Sequence, residues 1–350
     1  MIRAIDIHTH VIPAEVPRWA ERFGHGGFIR LEPVASAGGL PCRARMLRDD
    51  GFPFRDVEWS CWDPEVRLRD CDQSSVAVQV LSVAPVLLSY FAKGEHGLDV
   101  SRFLNDYVAG LVRGHPRRFA GLGTLPLQAP ELAVRELERC VGELGLCGAM
   151  IGTHVNDWNL DAPELFPVFA RAAELGACLF VHPWDMRGQE KMQKYWLPWL
   201  VGMPAEVSLA ICSLIFGGVL ERLPGLRLAF AYGGGSFPGT LGRIAHGFCA
   251  RPDLVACDNP HPPERYLSRL TVDALVHDAR ALRLLVETFG AAQVAMGSDY
   301  PFPLGEQRPG ALIRALGLGA AQERQLLQTT ALKWMGRSAE EFALEETVST

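Results

Sequence analysis

Two histidines, His8 and His10, stand two residues apart at the end of the apolar run Ile2–Ile7. Side chains at i and i+2 on a strand point to the same face, while on a helix they do not. A strand here therefore aims both imidazoles at one point. Imidazole suits zinc and iron, and mononuclear catalytic sites complete the set with a carboxylate and a water. Taken alone, the pair is equally an ordinary polar end to a strand. His182 ends the run Cys178-Leu179-Phe180-Val181-His182, and Asp299 follows Met296-Gly297-Ser298. Singly, His182 reads as well as a capping or core histidine, and Asp299 as a turn residue. Together, three neutral imidazoles and one carboxylate would hold a divalent ion and leave it an open position.

These residues need a scaffold that brings strand ends together. Strand-like apolar runs recur at Ala4–His8, Val76–Ser82, Phe119–Leu122, Ala149–Gly152, Ala177–His182, Leu226–Tyr232, Leu270–Asp273 and Gln293–Gly297. Amphipathic stretches lie between them, including Pro130–Leu144, Pro163–Leu175, Ala205–Leu223 and Ala279–Phe289. Eight strands alternating with helices predict an α/β fold, a (β/α)8 TIM barrel, whose active site gathers at the C-terminal strand ends. The competing doubly wound sheet lacks its Gly-x-Gly-x-x-Gly turn after the first strand. Two segments break the rhythm, about 11–71 after the first strand and Asp185–Pro204 after the fifth. Both would emerge at the catalytic face as lid or pocket insertions. Residues 1–340 are expected to form one barrel domain, with 341–350 as a C-terminal tail.

The formal charge of −6 carries no basic tract, which argues against a nucleic-acid partner. No apolar stretch reaches the ~18–20 residues of a membrane span, and the first residues lack the layout of a secretory signal. Nine scattered cysteines form none of the tight pairs of a structural zinc site. Buried reduced thiols in a cytoplasmic protein fit that pattern.

Longer strings carry a resemblance. They are Cys61-Trp62-Asp63-Pro64-Glu65-Val66-Arg67, Gly121-Leu122-Gly123-Thr124-Leu125-Pro126, Ile151-Gly152-Thr153-His154-Val155-Asn156, His182-Pro183-Trp184-Asp185-Met186, Tyr195 to Glu206, and Asp299-Tyr300-Pro301-Phe302-Pro303-Leu304-Gly305-Glu306. From about Ile5 to about Met335 the chain resembles the metal-dependent amidohydrolase superfamily, within it the branch of the amino-carboxymuconate-semialdehyde decarboxylases. The resemblance implies a zinc ion, or another divalent metal, on His8, His10, His182 and Asp299, with a water completing the set. It implies a substrate carboxylate on Arg55, and Trp199 and Phe302 as pocket walls. It also implies a homodimer in which Arg243 reaches the partner's site. An Arg fork binds a carboxylate bidentately, and aromatic walls suit a flat conjugated substrate. Read without the resemblance, Arg55 and Arg243 are surface ion pairs and Trp199 is packing.

One departure matters. Tyr232 stands where the family pattern has the histidine that acts as acid/base on the metal-bound water. A phenol near pKa ~10 is a poor base at neutral pH, where an imidazole near ~6.5 is well suited. Tyr232 is thus an engineered disabling change, a natural change for a different substrate, or a phenolate ligand to the metal. Asp49 and the altered segment Glu32–Arg48 also depart from the pattern and favour natural divergence. The expected function is a metal-dependent, non-oxidative decarboxylase of an unsaturated or aromatic carboxylate, using metal-bound water, with Tyr232 and Asp299 as catalytic residues. The alternatives are a hydrolase or hydratase of the same superfamily, or a variant with little turnover. His154 reads as a structural histidine or a substitute base.

Overall fold

In a computed structural model of the chain, residues 2–34 and 43–344 are described; Cys42, part of the altered segment and residues 345–350 of the expected tail lie outside them. Eight parallel strands stand side by side in chain order: Ala4–Val11, Val76–Val83, Phe119–Thr124, Gly148–Gly152, Cys178–His182, Arg227–Phe230, Leu270–Asp273 and Val294–Ala295. The ring closes between the eighth strand and the first. There the Ile7 N–H donates to the Met296 carbonyl at 3.0 Å and the Asp299 N–H to the His8 carbonyl at 2.8 Å. This is the expected (β/α)8 barrel. Its first five strands are buried along their whole length, as strands covered on both faces require, which is why they read as continuous apolar runs.

Strand ends differ from expectation at two places that matter. The first strand runs on through His10 to Val11, so both histidines lie within regular strand. The sixth stops at Phe230, because Tyr232 (φ 55°) and Gly233–Gly235 (φ 64°, 79° and 64°) all take positive φ and turn the chain. Three glycines make that run feasible. The expected helix Ala205–Leu223 is two helices, Met203–Phe216 and Val219–Arg222, broken at Gly217-Gly218.

The part inserted after the first strand holds an antiparallel sheet of Ile29–Val34, Arg43–Arg48 and Pro53–Glu58. Within the segment 11–71, Asp63-Pro64 starts the helix Pro64–Gln73. The Asp63 carboxylate accepts the N–H groups of Glu65 and Val66 at 2.8 and 3.3 Å, and proline occupies the first turn.

One expectation is corrected. Pro198–Gly202 winds into Met203–Phe216 without a break, making a 19-residue apolar helix that is long enough to cross a membrane by length and composition. Pro204 and Glu206 interrupt the apolar run in the sequence without breaking the helix. Pro198 takes the first turn of the whole helix, and Pro204 stands where the wider winding of Pro198–Gly202 passes into Met203–Phe216. Glu206 is buried against His154. Half of the helix is buried, and Val207, Ala210, Ile211, Leu214 and Ile215 join the core.

Candidate active site

The inward-facing side chains of the first strand, the last residue of the fifth and the turn after the eighth converge. One ligand atom each from His8, His10, His182 and Asp299 lies within 4.8 Å of the others, and all four residues are buried. Each histidine has its Nδ1 engaged by an acceptor. His8 donates to Asp273 Oδ2 at 2.6 Å, His10 faces the Val83 carbonyl at 3.2 Å, and His182 faces the Pro183 carbonyl at 2.8 Å. Acceptor-only partners put the proton on Nδ1 and leave each Nε2 lone pair directed inward. Nε2 of His8, Nε2 of His10 and Oδ1 of Asp299 are buried with no hydrogen-bond partner. Native interiors leave few such atoms, and a divalent cation satisfies all three, so the residues present fit a metal ion.

The electrostatics agree for two of the three imidazoles. Burial, reinforced by the neighbouring His10 and His8, pulls His182 well below the ordinary imidazole value. Burial likewise lowers His10. Both are then neutral, as ligation requires. For His8, burial lowers the value, but the Asp273 hydrogen bond and the charge of Asp299 raise it overall.

Two supporting groups had no place in the sequence reading. Asp273 accepts not only His8 but also the N–H groups of Tyr232 at 3.0 Å, Gly233 at 2.8 Å and Leu275 at 3.2 Å. Asp6 accepts the Ser298 hydroxyl at 2.5 Å and the N–H groups of Ser298 and His8 at 3.0 and 3.2 Å, tying the turn before Asp299 to the first strand. Gly297 allows this approach, since a Cβ there would stand 2.8 Å from both Asp273 Cβ and His8 Cβ. Asp273 carried a readable signal, because it is the polar end of the seventh strand, as His182 is of the fifth.

The Tyr232 hydroxyl lies 3.1 Å from His182 Nε2 and donates to Asp299 Oδ2 at 3.4 Å. Burial and the charges of Asp299 and Asp273 push the phenol well above its ordinary value; an ion on the four ligands would push the other way.

Above the cluster opens a cavity lined by Phe54, Arg55, Trp184, Trp199, Tyr232 and Phe302 among others. The Arg55 guanidinium is largely buried, 4.9 Å from the Phe302 ring centre and 5.6 Å from that of Phe54. Arg55, Trp199, Phe302 and Tyr232 thus meet around the four candidate ligands. Arg243 does not: it is exposed on the helix Phe237–Ala250 and does not line this cavity. His154 is also outside it. Its Nδ1 is 3.2 Å from Glu206 Oε2, and it lines a neighbouring cavity that shares the walls Phe54, Trp184 and Trp199. Asp49 lines neither cavity, and its carboxylate accepts the Gly27 N–H at 2.6 Å.

The family model described as Amidohydrolase matches residues 5–337. The chain is 49% identical, over 97% of its length and 90% of the relative's, to the 2-amino-3-carboxymuconate-6-semialdehyde decarboxylase of Dictyostelium discoideum. It is 36% identical, over 95% and 94%, to the protein of that name from Caenorhabditis elegans. Among solved structures, 5-carboxyvanillate decarboxylase of Novosphingobium aromaticivorans, complexed with manganese and 4-hydroxy-3-methoxy-5-nitrobenzoic acid, superimposes with a TM-score of 0.78. That match has 20% identity and covers 95% of this chain and 96% of the other.

Proposed function

We propose, for a chain that belongs to the amidohydrolase family, a metal-dependent carbon–carbon lyase that releases carbon dioxide non-oxidatively from an unsaturated or aromatic carboxylate. One observation carries the reading: buried, partnerless ligand atoms of His8, His10 and Asp299 lie at an aromatic pocket holding the guanidinium of Arg55. The names of the relatives support the reaction class, and 2-amino-3-carboxymuconate-6-semialdehyde is the first substrate to try.

A divalent ion on His8, His10, His182 and Asp299 would supply Lewis-acid charge beside the reacting carbons. Zinc is the proposed ion, one per chain, because it takes three imidazoles with a carboxylate readily; manganese is the competitor. Arg55 takes a substrate carboxylate with its fork, while Phe302 and Trp199 flank a flat conjugated skeleton. Loss of carbon dioxide leaves the electron pair of the broken bond on a substrate carbon, which then needs a proton. The Tyr232 hydroxyl is a donor at this place and a poor base. Its contact with His182 Nε2 also favours a second reading, in which it occupies the open position as phenolate and turnover is low.

The test is carbon dioxide release from a panel of carboxylates, run on metal-loaded and chelated protein. Metal-dependent release from at least one member is expected. A loaded protein that releases none and binds none of them would sink the lyase reading. Elemental analysis should find one equivalent of ion per chain, lost in His8→Ala/His10→Ala.

The assembly proposed is a homodimer in which Arg243 crosses to the partner's pocket. In support, Trp196, Leu200, Val201 and Leu209 are exposed on and before the helix Met203–Phe216. That helix touches the Arg243 helix through Phe216 and Phe248, stacked at 6.5 Å. A monomer by small-angle scattering at micromolar concentration, still fully active, would contradict it. A cytoplasmic location is the companion proposal, supported by eight described cysteines that are all free thiols.

A further inference from the structure

Arg67 ends the matched string Cys61–Arg67, and the resemblance assigns it no role. It lies on the helix Pro64–Gln73 with no solvent exposure. A buried guanidinium is costly unless its donors are satisfied, and here they go to uncharged oxygens. Nη1 donates to the His10 carbonyl at 2.8 Å and the Ser60 carbonyl at 2.9 Å, and Nε donates to Gln79 Oε1 at 3.2 Å. Nη2 has no hydrogen-bond partner, and the cation lies 4.8 Å from the centre of the Tyr300 ring, in cation–π range.

Two of these partners belong to the metal-ligand segments. His10 is a ligand, and Tyr300 directly follows the ligand Asp299. The two segments also join each other, because the Tyr300 carbonyl accepts the His10 N–H at 2.8 Å. Asp70, on the helix that carries Arg67, accepts the Tyr300 hydroxyl at 2.6 Å. One helix therefore grips His10 through its carbonyl and the turn after Asp299 through the Tyr300 ring and hydroxyl. Within that grip His10 Nε2 and Asp299 Oδ1 stand 3.2 Å apart.

We propose that Arg67 is a positioning residue for the metal centre: its fork and its cation set the end of the first strand against the turn after the eighth, and so set the spacing of His10 and Asp299. The proposal rests on the metal reading above. The fork is what the geometry uses, since one Nη bridges two carbonyls while Nε reaches a third oxygen. A lysine ammonium keeps the charge without that fixed fork.

The test compares parent, Arg67→Met, Arg67→Lys and Arg269→Met. The Arg269 guanidinium also binds carbonyls, those of Leu220 and Leu223, but precedes the seventh strand at the end of the barrel away from the ligands. Zinc affinity is read by competition with a chromophoric chelator, and amide exchange at His10 is read on metal-free protein. Arg67→Met should weaken zinc binding about 10–100-fold, the range for partners outside the ligands themselves, and speed exchange at His10. Arg67→Lys should weaken binding by less. Arg269→Met should lower thermal stability with zinc affinity unchanged. Parent-level affinity and exchange in the Arg67 variants, with stability lowered as in Arg269→Met, would overturn the proposal. Should Arg67→Met not fold, parent-level values in Arg67→Lys overturn it. A parent that binds no zinc or manganese overturns the metal reading itself, and the role of Arg67 with it.

Discussion

The His8 imidazole and the Asp273 carboxylate, both without solvent exposure, meet at 2.6 Å across 265 residues of chain. The same carboxylate holds the backbone N–H of Tyr232. One acid therefore fixes the tautomer of a candidate ligand and pins a residue whose φ of 55° is unfavourable for a side chain with Cβ. Asp273→Asn keeps the size and removes the charge. Zinc affinity should fall about 10–100-fold, read by chelator competition. An affinity within threefold of the parent would mean that Asp273 does not orient His8.

Arg55 is a cation lining the candidate pocket, seated against Phe302 and Phe54. Burial lowers its pKa from the ordinary guanidinium value, and the charge of Asp299 opposes that shift; so strong a base stays charged at neutral pH. A hydrogen bond to a charged group contributes roughly 1.5–3 kcal/mol. Arg55→Ala should therefore raise KM for the best carboxylate by about 10–150-fold, with zinc affinity unchanged. Arg55→Lys should recover only part, because the bidentate fork is lost. A KM equal to the parent's in both variants would remove the carboxylate from Arg55.

What the sequence made legible follows from period and position. The spacing of His8 and His10 fixed their common face once the run was read as a strand, and His182 stood at the end of an unbroken apolar run. Tyr232 was legible as the last residue of the sixth run, but its left-handed turn was not. That turn depends on Gly233–Gly235 and on Asp273, whose hydrogen bonds to it cross 41 and 40 residues. Arg67 stood in the sequence only as the last residue of a matched string; its burial depends on Ser60, Gln79 and Tyr300, which no local pattern links to it. The 19-residue helix was hidden because Pro204 and Glu206 look like interruptions until Glu206 is paired with His154.

Glu306 gives a pH dependence that can be isolated. Burial pushes its carboxyl from the ordinary 4.5 to about 7, opposed by the hydrogen bond from the Gly310 N–H. The folded value lies above the unfolded one, so the folded state favours the protonated form. That contribution is fully present below about pH 4.5 and is lost as pH rises through about 7. In metal-free protein, Glu306→Gln should flatten the fall of Tm between pH 5 and pH 8 and raise Tm at pH 8. Asp6, also pushed up to about 7 by burial, stays in the variant and leaves a residual slope. Identical pH–Tm curves for the two proteins would show that Glu306 is not the titrating group.

Substitution of Tyr232 tests whether the centre works as a lyase in its own right or as a disabled one. Its hydroxyl is within 3.1 Å of His182 Nε2 and 3.4 Å of Asp299 Oδ2, so a side chain here reaches the ligand cluster directly. General base catalysis typically contributes roughly 10²–10⁴-fold. If the chain lacks only the base, Tyr232→His should raise the rate on 2-amino-3-carboxymuconate-6-semialdehyde by that order. Tyr232→Phe, which keeps the ring and deletes the hydroxyl, separates the remaining readings. A phenolate on the metal gives the parent loaded with ferric ion a visible charge-transfer band that Tyr232→Phe abolishes. A proton donor gives no band, and both substitutions then lower activity on the true substrate. Equal rates for parent, Tyr232→His and Tyr232→Phe on every carboxylate, with no band in any of them, would mean that this position does not govern the chemistry at all.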